Sequence, residues 1–233
     1  MPSYKTTGII LRRTNYGEAD RIFTVLTSSH GKVEAIAKSV RKMNSKLGSH
    51  LEPLTVIDLM LAKGRNLDII TYAKVRESFT QISSELQRTG KAFLFAEMIH
   101  KLTQHDTSKQ TFELLRQALS DLDKGIEPAL VELYFKLHLL RLLGHKPNLD
   151  VKEASGRHYY FNVETGAVAT AASGRGYSNM AADHIKLWRL MLDYPLSAVA
   201  KVRGVAQAAA DTLPIANDFY DYLYGIRFKS AEI

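Results

Sequence analysis

The chain has no cysteine among its 233 residues, and only one tryptophan and six prolines. Without thiols it can build neither a disulfide framework nor a thiolate zinc site, and it has no thiol nucleophile. Long apolar runs are missing too. GIIL, residues 8–11, is far shorter than a membrane span or a signal-peptide core, and Met1-Pro2-Ser3 supplies no cationic stretch before it. The expectation is a cytoplasmic globular protein that makes no use of a membrane. Equally absent are a G-x-x-x-x-G-K-[ST] phosphate loop, an H-E-x-x-H pair and a nucleophile elbow, so no active site and no cofactor is expected. A hydrophobic fraction of 45% is enough for a sizeable core, in one or two domains.

Negative charge is scarce in one place. Residues 1–80 hold 13 Lys and Arg against 7 Asp and Glu, whereas residues 81–233 hold 18 against 17, so nearly all of the net +7 lies in the first third. Such asymmetry suggests one domain that meets a polyanion and another that is electrostatically ordinary.

The apolar pattern changes at the same boundary. Segments 4–13, 21–27, 32–38, 54–61 and 67–76 are short and rich in Ile, Val, Thr and aromatics, which is the signature of strands. In the last of them Leu67, Ile69, Thr71, Ala73 and Val75 are read as the core face, opposite Ile70, Tyr72 and Lys74. Turn glycines separate most of the segments. Five strands with one long connection between the third and fourth suit a small closed β-barrel of the oligonucleotide/oligosaccharide-binding (OB) type over residues 1–80. From residue 81 to 233 the period is helical. Phe95, Met98, Ile99 and Leu102 recur at helix spacing, as do Phe112, Leu115, Leu119 and Leu122. Residues 128–143 are apolar almost all round, like a central bundle helix, and Pro128 opens them. An irregular insert at about 148–180 contains a hairpin, YYFNVETGAVAT, and helices are expected near 182–192, 203–212 and 215–227. The fold class is therefore α+β, a barrel followed by a helical domain.

Chemistry concentrates in AKSVRKMNSKLGSH, residues 37–50, which carries Lys38, Arg41, Lys42 and Lys46 and no acid. Cations without acidic neighbours suit phosphate contacts that need no particular base sequence; the alternative is a solvated loop serving solubility. Lys32, Arg12, Arg13, Arg21 and Arg65 are candidates to extend the track. Ser39, Asn44, Ser45, Gly48 and Ser49 would let the loop follow an irregular backbone. Tyr16, Phe23 and Tyr72 are the aromatics on which a base could stack, Tyr72 foremost, with core or rim packing as the alternative. In YGEADRI (16–22) the two acids are read as partners of turn amides or arginines rather than as a metal or acid–base pair.

YGEADRI, HGK with the following AK-x2-R pattern (30–41), LEP (51–53) and G-R-x-L-D-x-I (64–70) together resemble the N-terminal domain of the RecO family of bacterial recombination and repair mediators. YFKLHLLRLLGHKPNLD (134–150) resembles that family's central helix and its exit. The resemblance implies a non-enzymatic protein that binds single- and double-stranded DNA, anneals complementary strands and helps a RecA recombinase replace single-stranded DNA-binding protein. It also implies RecR as a partner and a nucleoid-associated location. Many members carry four cysteines as a zinc site around the hairpin. This chain has 150–156 and 169–173 there instead, and His145, His158 and His184 lack the spacing of a ligand set. Docking of the acidic, hydrophobic tail of single-stranded DNA-binding protein is expected on the helical domain, with Lys136 and Arg141 as the cations that receive its carboxylate. Against these expectations stand an RNA-binding or ribosome-associated barrel and a magnesium-dependent phosphoryl-transfer enzyme.

Overall fold

The computed structural model describes residues 2–105, 108–150, 158–226, 228 and 230. Five strands come first: β1 (Ser3–Tyr16), β2 (Asp20–Thr27), β3 (Lys32–Ala37), β4 (Val56–Ala62) and β5 (Asp68–Glu77). They close into a barrel in the order β1-β2-β3-β5-β4, antiparallel throughout except for the parallel β3–β5 pair. This is the OB-type barrel expected from the strand pattern. Alternation sends Ile10, Phe23, Val25, Ala35, Ile57, Leu59, Leu61 and Ile70 into one interior cluster. The Val, Leu, Ile and Phe side chains among them each contribute roughly 1.5–3 kcal/mol when fully buried.

In β5 the alternation is interrupted. Leu61 pairs with Ile70 and Met60 with Tyr72, so Thr71 is an extra residue, and its hydroxyl donates to the Met60 carbonyl at 3.1 Å. This bulge exchanges the two faces of β5. Ile70 is buried and Thr71 exposed, the reverse of the alternating reading, and Ala73 then resumes the core face.

The β4–β5 turn explains the G-R-x-L-D motif. A Cβ on Gly64 would lie 1.9 Å from the Leu67 carbonyl oxygen, so only glycine fits. Asp68 closes the turn, accepting hydrogen bonds from the Tyr4 hydroxyl at 2.5 Å, the Lys63 ammonium at 3.3 Å and the Gly64 amide at 3.4 Å. Burial alone would raise its pKa, but these donors hold it below the ordinary carboxylate value.

The chain divides into two compact units, Met1–Lys124 with Phe228–Ile233, and Gly125–Arg227. Strand character gives way to helix after β5, yet α1 (Leu86–Leu102) and α2 (Lys109–Asp123) belong to the barrel's unit. They pack on the outer face of β1 and β2, where Ile9, Leu11 and Leu26 are buried although they point away from the barrel interior.

In the second unit α3 (Pro128–Leu142) begins at Pro128, whose missing amide hydrogen is no loss in a first helical turn. Leu130, Leu133, Phe135, Leu137, Leu139 and Leu140 are buried around its circumference. Next come β6 (Tyr160–Asn162), β7 (Ala167–Ala169) and β8 (Tyr177–Asn179), a small sheet in the order β7-β6-β8, so the expected hairpin gains a third strand. Phe161 anchors it, with its ring centroid 5.3 Å from Trp188 and 5.2 Å from Phe219. The helices α4 (Ala182–Asp193), α5 (Leu196–Val199) and α6 (Val205–Tyr224) complete the unit. The two helices expected on either side of Pro214 are one. Ala210, whose carbonyl loses its amide partner to the proline, is exposed, as is Pro214, so water can satisfy that carbonyl. Beyond Asp150, the first segment that replaces cysteines lies outside the described residues. His145 stacks edge-on to Tyr224, His158 is exposed, and His184 accepts from the Ala181 amide. Among the described residues no three metal-binding side chains converge.

Candidate nucleic-acid interface

The β3–β4 connection is anchored at both ends and displayed between them. Val40 and Leu51 are buried in the barrel cluster, and Leu47 packs against it. Ser39 takes a left-handed conformation (φ 55°), and its amide donates to the Asp20 carboxylate at 2.7 Å. The Arg41 amide donates to the Ala19 carbonyl at 2.9 Å and its guanidinium to the Gly17 carbonyl at 3.3 Å. Turn bonds from Lys42 to Ser39 and from Ser45 to Lys42 shape the middle of the loop. The segment expected to be pliable is thus a hydrogen-bonded platform, and Asp20 of YGEADRI partners a turn amide.

Lys38, Arg41, Lys42 and Lys46 are exposed on that platform, and among the described residues none of them forms an ion pair. Met43 at its tip is fully exposed. Tyr16 lies at the end of the neighbouring β1–β2 hairpin with 56% of its surface exposed. Tyr16 is thus one of the stacking candidates read from the sequence that faces water, whereas a water-facing methionine such as Met43 cannot be named from sequence, because methionine is more often buried.

The remaining candidates separate. Arg12 and Arg13 are exposed on the part of β1 that runs past the bulge near Leu11, and Arg13 pairs with Glu52 at 2.7 Å. Arg21 is half-buried and donates to the Asn15 side chain at 3.1 Å. Arg65 is exposed in the β4–β5 turn, away from the loop. Phe23 is wholly buried in the barrel core and unavailable for stacking. Tyr72 is 49% exposed, but it lines a cleft formed by β1, β4, β5 and the β2–β3 turn, to which the basic loop contributes nothing.

Lys32 is buried. Its ammonium donates to the carbonyls of His100 at 2.8 Å and Thr103 at 2.5 Å, capping the end of α1, while its backbone bonds His105 in both directions. Burial lowers its pKa, with Glu34 opposing. It is accordingly left out of the interface proposed below. The same docking covers part of the β2–β3 face, which open OB barrels use for oligonucleotides.

On the helical unit Lys136 is 5% exposed, within 2.5 Å of Glu132 and of the Asn217 side-chain oxygen. The ammonium expected to receive a tail carboxylate is already held by these partners, and it offers nothing to an incoming one. Arg141 is exposed and donates to the Leu192 carbonyl at 3.1 Å and to His138 Nδ1 at 3.1 Å. His138 Nε2 lies 2.8 Å from the Met191 carbonyl, so the neutral tautomer with its proton on Nε2 satisfies both contacts. Burial lowers the pKa of His138, and Arg141 adds to that.

A closed barrel of this strand order, with a basic end and a helical continuation, defines the class of OB-type barrel proteins carrying a helical C-terminal region. Within that class, the model for the recombination protein O N terminus matches residues 1–79 and the model for its C terminus matches residues 83–232. The chain belongs to the RecO family. DNA repair protein RecO of Dehalococcoides mccartyi is 37% identical over 173 residues, covering 71% of this chain and 68% of the relative. Its counterpart in Roseiflexus sp. is 33% identical over 218 residues, covering 90% and 77%, and that of Rubrobacter xylanophilus 40% over 151 residues, covering 64% and 61%. Family membership assigns the chain a role in DNA repair and recombination. No helix among the described residues is long and apolar enough to cross a membrane.

Proposed function

We propose that the chain is a non-enzymatic recombination mediator. It binds single- and double-stranded DNA, anneals complementary strands and assists loading of RecA onto DNA coated with single-stranded DNA-binding protein, at the nucleoid and together with RecR. The observation that carries this reading is the platform at the end of the barrel, where Lys38, Arg41, Lys42 and Lys46 face water without acidic partners. Cations so placed release counterions from a phosphate backbone without reading bases, as a protein acting on any sequence requires. Arg12, Arg13 and Arg21 flank this end and extend its positive field, Arg13 less so for its pairing with Glu52. For the tail of single-stranded DNA-binding protein, Arg141 is the receiving cation. A guanidinium has five donors, and Arg141 spends two on Leu192 and His138.

The test is annealing of complementary labelled strands, bare and coated, without nucleotide or magnesium, beside competition between single-stranded DNA and RNA. The reading expects faster annealing in both cases and DNA bound at least as tightly as RNA. Failure of folded protein to bind DNA at low salt would overturn it, and a strong RNA preference would favour the ribosome-associated alternative.

A further inference from the structure

The helices α1 and α2 cover one side of the barrel, including the Ile9 and Leu11 part of β1, and leave open the outer face of the first part of β1, around Lys5 and Thr7, with β4 and β5, where there is a cleft of about 790 Å³. Its register is explicit. Lys5 pairs with Met60 and Met60 with Tyr72, giving one row across three strands; Thr7, Asp58 and Lys74 form the next. Lys74 follows Tyr72 by two residues on the same face of β5, and Lys5 stands two strands away, about 10 Å. A half-exposed phenol ring therefore stands at the corner of a patch that has an exposed lysine along each side, and among the described residues neither lysine forms an ion pair. Among the described lining residues the one carboxylate is engaged, since Asp58 accepts from Thr7 Oγ1 at 2.9 Å and lies 3.5 Å from the Arg76 guanidinium. Ser29 adds a hydroxyl at the rim, 3.0 Å from that of Thr6. The volume suits one or two nucleotides rather than a duplex, whose bases are stacked on one another and present no free face.

We infer that this cleft is a second single-strand site, separate from the basic loop: an unpaired base stacks on Tyr72 over Met60, and the flanking phosphates meet Lys5 and Lys74. The inference rests on the proposed DNA binding and deepens it. A barrel that holds one strand on its end and another on its side brings two strands together on one chain, which is what annealing requires. Charge selects the polyanion, and the aromatic face selects its unpaired form.

The experiment measures how many short oligothymidylates, which cannot pair with one another, bind per full-length chain at low salt. The protein is wild type, Tyr72→Ala or Tyr72→Phe. Two per chain are expected for wild type and Tyr72→Phe, with the second weakened about tenfold in Tyr72→Ala and the first unchanged. Two equally bound by folded Tyr72→Ala would overturn the site. One per chain, whether or not Tyr72→Ala weakens it, would overturn the claim of a separate surface. Absence of all binding by the wild type would instead sink the DNA-binding reading itself, and the two failures are thus distinguishable.

Discussion

The Asp20 carboxylate holds the Ser39 amide at 2.7 Å, and Ser39 is one of two non-glycine residues with a positive φ among the described residues. That bond ties the end of β3 to the β1–β2 hairpin and fixes the direction in which the basic loop departs. Replacing Asp20 has two consequences of opposite sign for DNA binding: it removes a negative charge beside the cations, and it frees the loop. Asp20→Asn keeps an acceptor oxygen, so it should bind DNA at least as tightly as wild type. Asp20→Ala should bind more weakly than Asp20→Asn and unfold more easily by about 1–2 kcal/mol. Urea unfolding and fluorescence anisotropy of the two variants separate the terms.

Lys32 should act on stability rather than on DNA. Removing its ammonium leaves the α1 carbonyls of His100 and Thr103 without their donor in a buried place. Lys32→Ala should cost about 2–3 kcal/mol in denaturant unfolding, and the folded fraction should bind DNA with the wild-type salt dependence. A reduced salt slope would return Lys32 to the interface.

The Lys136–Glu132 pair is a buried ion pair with Asn217 as a third member. Lys136→Met takes the ammonium away from a buried carboxylate and should cost about 3–5 kcal/mol, whereas the double variant with Glu132→Leu should recover most of that loss. Thermal unfolding of the single and double variants gives the comparison.

How much of the molecule is legible in its sequence depends on whether a property is local. Strand existence is local, since short runs rich in Ile, Val, Thr and aromatics mark all five segments. The cations of residues 37–50 are legible because no acid interrupts them. The bulge at Thr71 is not, since one extra residue in a ladder leaves composition unchanged while it exchanges Ile70 and Thr71 between faces. Lys32 is misread because a lysine opening a strand is usually solvated, and only the distant end of α1 makes it a cap. Tyr72 is recognisable as an exposed strand aromatic, but its separation from the loop is a matter of barrel closure. Pro214 reads as a break because its cost depends on whether Ala210 meets water, which a single sequence does not state.

His138 must stay neutral to keep both of its contacts. Its folded pKa is lowered by burial and by Arg141, so below the ordinary histidine value the unfolded chain binds the proton more readily than the folded one. The contribution of His138 is therefore fully present above that value and is lost as pH falls towards the folded pKa. Wild type should lose stability relative to His138→Gln across that acid-side window and not at higher pH. Parallel unfolding curves for the two proteins at every pH would contradict the assignment.

The central claim is that the exposed cations of the barrel's end neutralise phosphates. The most direct measurement is the salt dependence of single-stranded DNA affinity for wild type and for the Lys42→Glu, Lys46→Glu double variant, in protein shown to be folded. The account predicts weaker binding to every sequence and a log–log slope flatter by about 0.7 for each phosphate no longer neutralised. Wild-type affinity and slope in the folded double variant would contradict it.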